Sequence, residues 1–174
     1  MMRLFWLLGL ISMTFSVFAV NDNVRISGAL VSQPCTLSQE SEDIHLNFGN
    51  LISTFFYHTE RTAGENFTIT LANCDINIGS SATVTFKGTE SQALPGLLSP
   101  DDGDTHGIAF GIETNEGAPR PVPLNKASPV FTLSKGTNDL ALRGYVQAEP
   151  AAIAARSITA GSFTATATFE IEYP

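Results

Sequence analysis

Phe163-Thr164-Ala165-Thr166-Ala167-Thr168-Phe169-Glu170-Ile171-Glu172-Tyr173 places an apolar residue at every odd position and a Thr or Glu at every even one. Side chains alternate across the two faces of a β-strand. A period of two sustained over this length therefore predicts a single strand with one face on a core and the other in water. The threonines reinforce the reading, because a β-branched side chain suits a pleated surface. No helical period of comparable length competes with it anywhere in the chain.

Upstream the same period recurs in shorter runs. Ile44, Leu46 and Phe48 alternate with His45 and Asn47, and Phe67, Ile69 and Leu71 alternate with Thr68 and Thr70 before Asn73 and Cys74. Val84 and Phe86, then Ile108, Phe110 and Ile112, then Leu140, Leu142 and Val146 either side of Gly144 continue the pattern. Turn-forming clusters separate the runs: Leu94-Pro95-Gly96, Ser99-Pro100-Asp101-Asp102-Gly103 and the stretch from Pro119 to Pro123. Many short alternating strands with such punctuation predict an all-β antiparallel sandwich. The Ala-rich segment Ala148 to Ala155 is expected to form at most a helical turn, limited by Pro150. No repeat of 20 to 50 residues and no low-complexity linker divides the chain, so one domain is expected.

The chain opens with Arg3 and an uncharged stretch from Leu4 to Phe18 rich in Leu, Phe, Ile and Val. This is the pattern of a secretory signal peptide. The apolar stretch is shorter than the roughly 20 residues a membrane-spanning helix needs. Val17 and Ala19 occupy the small-residue cleavage positions, and polar Asn21, Asp22 and Asn23 follow. Residues 1–19 are thus expected to be removed, leaving Val20–Pro174 as a single domain of ordinary size. The whole chain has 9 Lys and Arg against 17 Asp and Glu. Losing Arg3 takes the formal balance from −8 to −9. Such a surface argues against nucleic acid or an anionic membrane as partner. The two cysteines, Cys35 and Cys74, both lie in the exported part, where an oxidising compartment permits one disulfide. A pair of buried free thiols is the alternative.

The residues needed for catalysis do not assemble. His45, His58 and His106 are widely spaced, no HExxH or CxxC occurs, and a zinc or copper site is not expected. Asp101, Asp102 and Asp104 around Gly103 lack the later ligands of a calcium loop and read as a solvated turn. No G-x-S-x-G, Walker loop or dinucleotide fingerprint is present. Neither an enzyme nor a cofactor is expected.

Two termini carry a resemblance. Val24-Arg25-Ile26-Ser27-Gly28-Ala29-Leu30, leading through Val31-Ser32-Gln33 to Pro34-Cys35-Thr36-Leu37, closely resembles the N-terminus of chaperone/usher pilins, in particular minor subunits of type 1-like fimbriae. Gly161, the alternating residues from Phe163, and penultimate Tyr173 are similar to that family's C-terminal signature. Gly107–Ile112 and Leu140–Tyr145 look like internal pilin strands, although Gly144 stands where the family more often carries a side chain. The resemblance spans the whole exported chain.

It implies a disulfide from Cys35 to Cys74 at the end of the second strand. It implies an incomplete immunoglobulin-like β-sandwich lacking its last strand, completed by a strand donated from another protein. Residues 20–33 would be the donor extension, with Val24, Ile26, Gly28 and Leu30 on its inward face, and 34–174 the pilin domain. Alternation alone leaves open that the extension is the domain's own first strand. Gly161, Phe163, Ala165, Ala167, Phe169, Ile171 and Tyr173 would bind the donated strand. The implied partners are a periplasmic chaperone, an outer-membrane usher and neighbouring subunits, on a route to a surface fimbria that supports bacterial adhesion. A subunit that itself binds a host receptor or carbohydrate is the alternative function. A separate lectin domain has no room, since Cys35 opens the pilin pattern soon after the cleavage site.

Overall fold

The computed structural model describes residues 26–28, 30, 32–101 and 103–174. The leader at 1–19, Val24 and Asp102 lie outside these residues. The chain divides into two units, Met1–Val31 and Ser32–Pro174. In the first unit Ile26, Ser27, Gly28 and Leu30 form no regular element, and the Ile26 and Leu30 side chains are fully exposed.

The second unit contains β1 (Thr36–Leu37), α1 (Ser53–Thr59), β2 (Glu65–Cys74), β3 (Ser81–Lys87), β4 (Ile108–Thr114), β5 (Phe131–Thr132), β6 (Gly136–Ala148), α2 (Pro150–Ala155) and β7 (Thr168–Glu172). One antiparallel sheet has the order β1-β2-β6-β4 and the other β5-β3-β7. The alternation dictates what lies between them. Ile69, Leu71, Leu140 and Leu142 of the first sheet meet Ala82, Val84, Phe86 and Phe131 of the second in one core. Ile69, Leu71, Val84, Leu140, Leu142 and Val146 are fully enclosed, each contributing about 1.5–3 kcal/mol of burial free energy.

β6 sets the two ends of the sandwich. Gly136 pairs with Cys74 at one end and Ala148 with Ile108 at the other. Thirteen residues separate the ends by about 40 Å. At the Cys74 end lies the disulfide from Cys35 to Cys74, which closes a separation of 39 residues and contributes about 3–4 kcal/mol on the chain-entropy account. Its geometry depends on a break in the alternation. Phe67, Ile69 and Leu71 face inward at odd positions, while buried Cys74 is even. A register shift between Leu71 and Cys74, with Asn73 at φ 56°, supplies the one-residue change. Asn tolerates that left-handed conformation better than most residues.

The opposite end is capped by the two helices. Phe56 of α1 is buried with Ile108, Val146 and Ala148. Pro150, expected to limit the Ala-rich segment, instead begins α2, since the first helical position needs no N–H donor. Arg156 ends it in the left-handed conformation, its N–H donating to the Ala152 and Ile153 carbonyls. Among the described residues no helix is long and apolar enough to cross a membrane.

Candidate functional site

Two segments alternate like strands but lack strand partners. Ile44, Leu46 and Phe48 are half-buried while His45 and Asn47 are exposed, yet residues 44–50 enter no ladder. In the decisive run, Phe163, Ala165, Ala167, Phe169, Ile171 and Tyr173 are all half-buried, and every residue between them is exposed. Only Thr168–Glu172 pairs, from Lys87↔Thr168 to Thr83↔Glu172. Phe163 forms one isolated bridge with Gly103, and the Thr164 carbonyl accepts from the Asp101 N–H at 2.9 Å. β7 is an edge of its sheet, with no strand on its other side among the described residues.

Between these segments runs a groove of about 740 Å³. Ile44, Leu46 and Phe48 line one wall, and Phe163 to Phe169 line the other. Its floor is the inner face of both sheets, Phe67, Phe86, Phe110 and Ile112, together with Leu98, Val122 and Leu124 of the connecting segments. Aromatic rings pack along it, with Phe67 edge-on to Phe86 at 6.2 Å, Phe86 to Phe169 at 6.1 Å and Phe110 to Phe163 at 5.5 Å. Gly144 opens space in the floor, since a Cβ there would stand 2.6 Å from the Leu46 Cδ1. The absent side chain thus lets Leu46 lie inward.

The expected binding residues divide by position. Phe163, Ala165, Ala167 and Phe169 line the groove. Gly161 lines a smaller recess of about 290 Å³ with Phe48, Asn50 and Phe163. A Cβ at Gly161 would stand 2.7 Å from the Asp104 Cβ, so glycine permits the close pass of that loop. Ile171 and Tyr173 pack on the main core beyond the groove lining. Burial raises the Tyr173 hydroxyl above its ordinary pKa. Of the proposed donor residues, Ile26, Gly28 and Leu30 lie in the separate first unit, and Val24 is outside the described residues.

The groove has an apolar floor, apolar walls and two segments without ladder partners. Such a site is built for an extended chain, whose backbone would bond to the walls and whose alternate side chains would fill the floor. Glu42, Asp43 and His45 also line it, at its polar edge. Among the described residues no three His, Cys, Asp or Glu side chains are grouped to hold a metal.

An ionic cluster around buried Glu113 lies on the opposite face of β4, by the alternation from Phe110 and Ile112. Glu113 accepts from Arg143 Nε at 2.7 Å and from Arg61 Nη2 and Nη1 at 3.1 and 3.2 Å. Burial would push the Glu113 carboxyl up, but the hydrogen bonds and charges of Arg61 and Arg143 outweigh it and hold it below the ordinary range. The Arg61 guanidinium also lies 4.3 Å over the Tyr145 ring. That ring occupies the space left by Gly111. The cluster ties β4, β6 and the segment before β2 together. Composition did not reveal it, because its members are far apart in the chain.

The family model "Fimbrial protein" matches residues 24–174. The chain is 31% identical over 159 residues to the fimbrial adapter PapK of Escherichia coli, covering 89% of each. It is 30% identical over 150 residues to the fimbria A protein of Serratia marcescens, covering 86% of this chain and 83% of that one. The crystal structure of the P pilus rod subunit PapA superposes with a TM-score of 0.68 at 26% identity, over 82% of this chain and 100% of that one.

Proposed function

This protein belongs to the fimbrial protein family, and from that premise we propose that it joins its fibre by accepting one β-strand and lending another. It is a structural subunit of a chaperone/usher pilus, exported and built into surface fimbriae. Its fold is the immunoglobulin-like sandwich with a strand position left open. Its partners are the periplasmic chaperone, the outer-membrane usher and the neighbouring subunits. The observation that carries the proposal is the pair of half-buried walls at 44–48 and 163–169 with no ladder between them.

The finer assignments follow from that. The groove takes the chaperone's strand first and the neighbour's extension afterwards. Phe163, Ala165, Ala167 and Phe169 form its wall, with Gly161 at the mouth and Ile171 and Tyr173 anchoring the strand. Residues 20–33 are the extension this chain gives away, with Val24, Ile26, Gly28 and Leu30 inward, and 34–174 are the domain. Gly28 weakens an ordinary strand interior, so its place in this run fits close approach to another backbone. Catalysis has no part in this role, since the family is structural.

A peptide spanning Asn21–Gln33, mixed with a chaperone-bound sister subunit of the same fimbria, tests the donor half. Displacement of the chaperone is followed by native gel. The natural peptide displaces it, Gly28→Leu fails through overpacking, and Ala29→Leu behaves as the natural peptide. Equal displacement by the natural and Gly28→Leu peptides removes the tight position at Gly28. No displacement from any sister subunit overturns the donor assignment.

A further inference from the structure

The ends of the sandwich differ in what they show to solvent. At the disulfide end the loop after Cys74 exposes Ile76 (45%) and Ile78 (52%). At the helix end Ile52 (68%) and Phe55 (42%) are exposed. Large apolar side chains in water are unremarkable singly, but these form two pairs at opposite ends. The chain enters the domain at the disulfide end, where the Pro34 carbonyl accepts from the Asp75 N–H at 2.8 Å. At the helix end the groove reaches Phe48 and Phe163, both packed with Leu51 against the cluster around Phe56.

The direction of the accepted strand decides which ends meet. β7 runs towards the disulfide end, where the Ser81 hydroxyl donates to the Pro174 carbonyl at 3.2 Å. Every strand pair described is antiparallel. A strand added antiparallel beside β7 runs towards the helix end and leaves the groove by the Phe48–Phe163 mouth. Its own domain then begins just outside. In this chain only three residues separate Leu30 from Pro34, a reach of about 14 Å. A parallel strand would instead set two disulfide ends together, a contact that closes on itself and does not propagate a fibre.

We propose that Ile52 and Phe55 form a docking face for the neighbouring fimbrial subunit whose extension fills this groove, and that they receive the loop following that neighbour's second cysteine. This rests on the strand-accepting role of the groove. Ile76 and Ile78 make the same contact on the subunit that accepts this chain's extension. The face continues the groove through Leu51, so strand insertion places the neighbour's loop against it. It restricts swivelling about the short connection between successive domains.

Fimbriae carrying benzoylphenylalanine at position 52 or 55 test this on irradiation, with position 130 as control because Val130 is exposed next to β5, on the half of the sandwich away from the helix end. The label at 52 or 55 should join the neighbouring subunit at least tenfold more than the label at 130, and the joined peptide should map to the loop after the neighbour's second cysteine. Yields no greater than at 130, mapping to another surface, or capture of the chaperone alone overturn the inference. Detergent-stable, heat-labile multimers measured on the same fibres separate the two levels. Multimers without cross-links overturn the docking face and leave the groove standing, whereas absence of multimers in unlabelled fibres overturns both.

Discussion

Glu113 shows how a single side chain is held against its own burial. Its side chain is 6% exposed, while Arg61 and Arg143 are 40% and 26% exposed, so the carboxylate loses most of its water and the guanidiniums keep some of theirs. The folded carboxyl titrates below the unfolded one. Its contribution is therefore complete above the unfolded value of about 4.3 and is lost as pH falls through the lower folded value. Glu113→Gln should cost about 1.5–3 kcal/mol at neutral pH, the range for hydrogen bonds to charged groups. The difference from the natural protein should shrink as the pH drops below about 4. Urea midpoints across that range check it, and a constant difference would assign the loss to packing. Gly144 works by omission: the missing Cβ admits Leu46 to the groove, and a side chain at that position would displace it.

At the scale of elements, β7 joins the second sheet by five residue pairs and has no strand on its other edge among the described residues. Removing Ile171 to Pro174 deletes the pairs at Val84 and Thr83 and uncovers the core beside them. The truncated subunit should no longer co-purify with its chaperone, and undiminished recovery would show that the chaperone grips elsewhere. The alternation of this run was plain in the sequence because it needs only the residues themselves. Its ladder was not, because a ladder also needs a neighbouring strand, and residues 164–167 and 44–48 pair with no strand among the described residues. Period two thus identified both groove walls as strands, and the structure keeps the same inward faces but draws only Thr168–Glu172 into a ladder. Other elements left little trace. α1 has seven residues, no side-chain cap, and adjacent Phe55 and Phe56 in place of a helical period; burial of Phe56 holds it. β1 and β5 are two residues each, too short for any period to register. Cys74 stands at an even position, and the break in alternation that buries it, at Asn73, emerged only from the backbone.

The whole molecule is organised from the disulfide end, where the chain enters, the longest ladder begins and the final strand finishes. Reducing the bridge in the isolated domain should lower its stability by about 2–5 kcal/mol, as for small secreted domains generally. Denaturant midpoints of the natural protein and Cys35→Ser, Cys74→Ser check this, and coincident midpoints would show that the fold is indifferent to the crosslink. A second consequence appears under mechanical tension. A pull through the extension reaches Pro34, and one residue later a covalent bond carries it across to the end of β2. Without the bridge the same pull would strip β1, whose two residue pairs would open in succession. With it, tension passes into β2 and its long pairing with β6, where hydrogen bonds lying across the strands share the force together. The crosslink thus acts as a clamp at the point where a fibre hauls on each domain, and it protects the region between Cys35 and Cys74 from unravelling first.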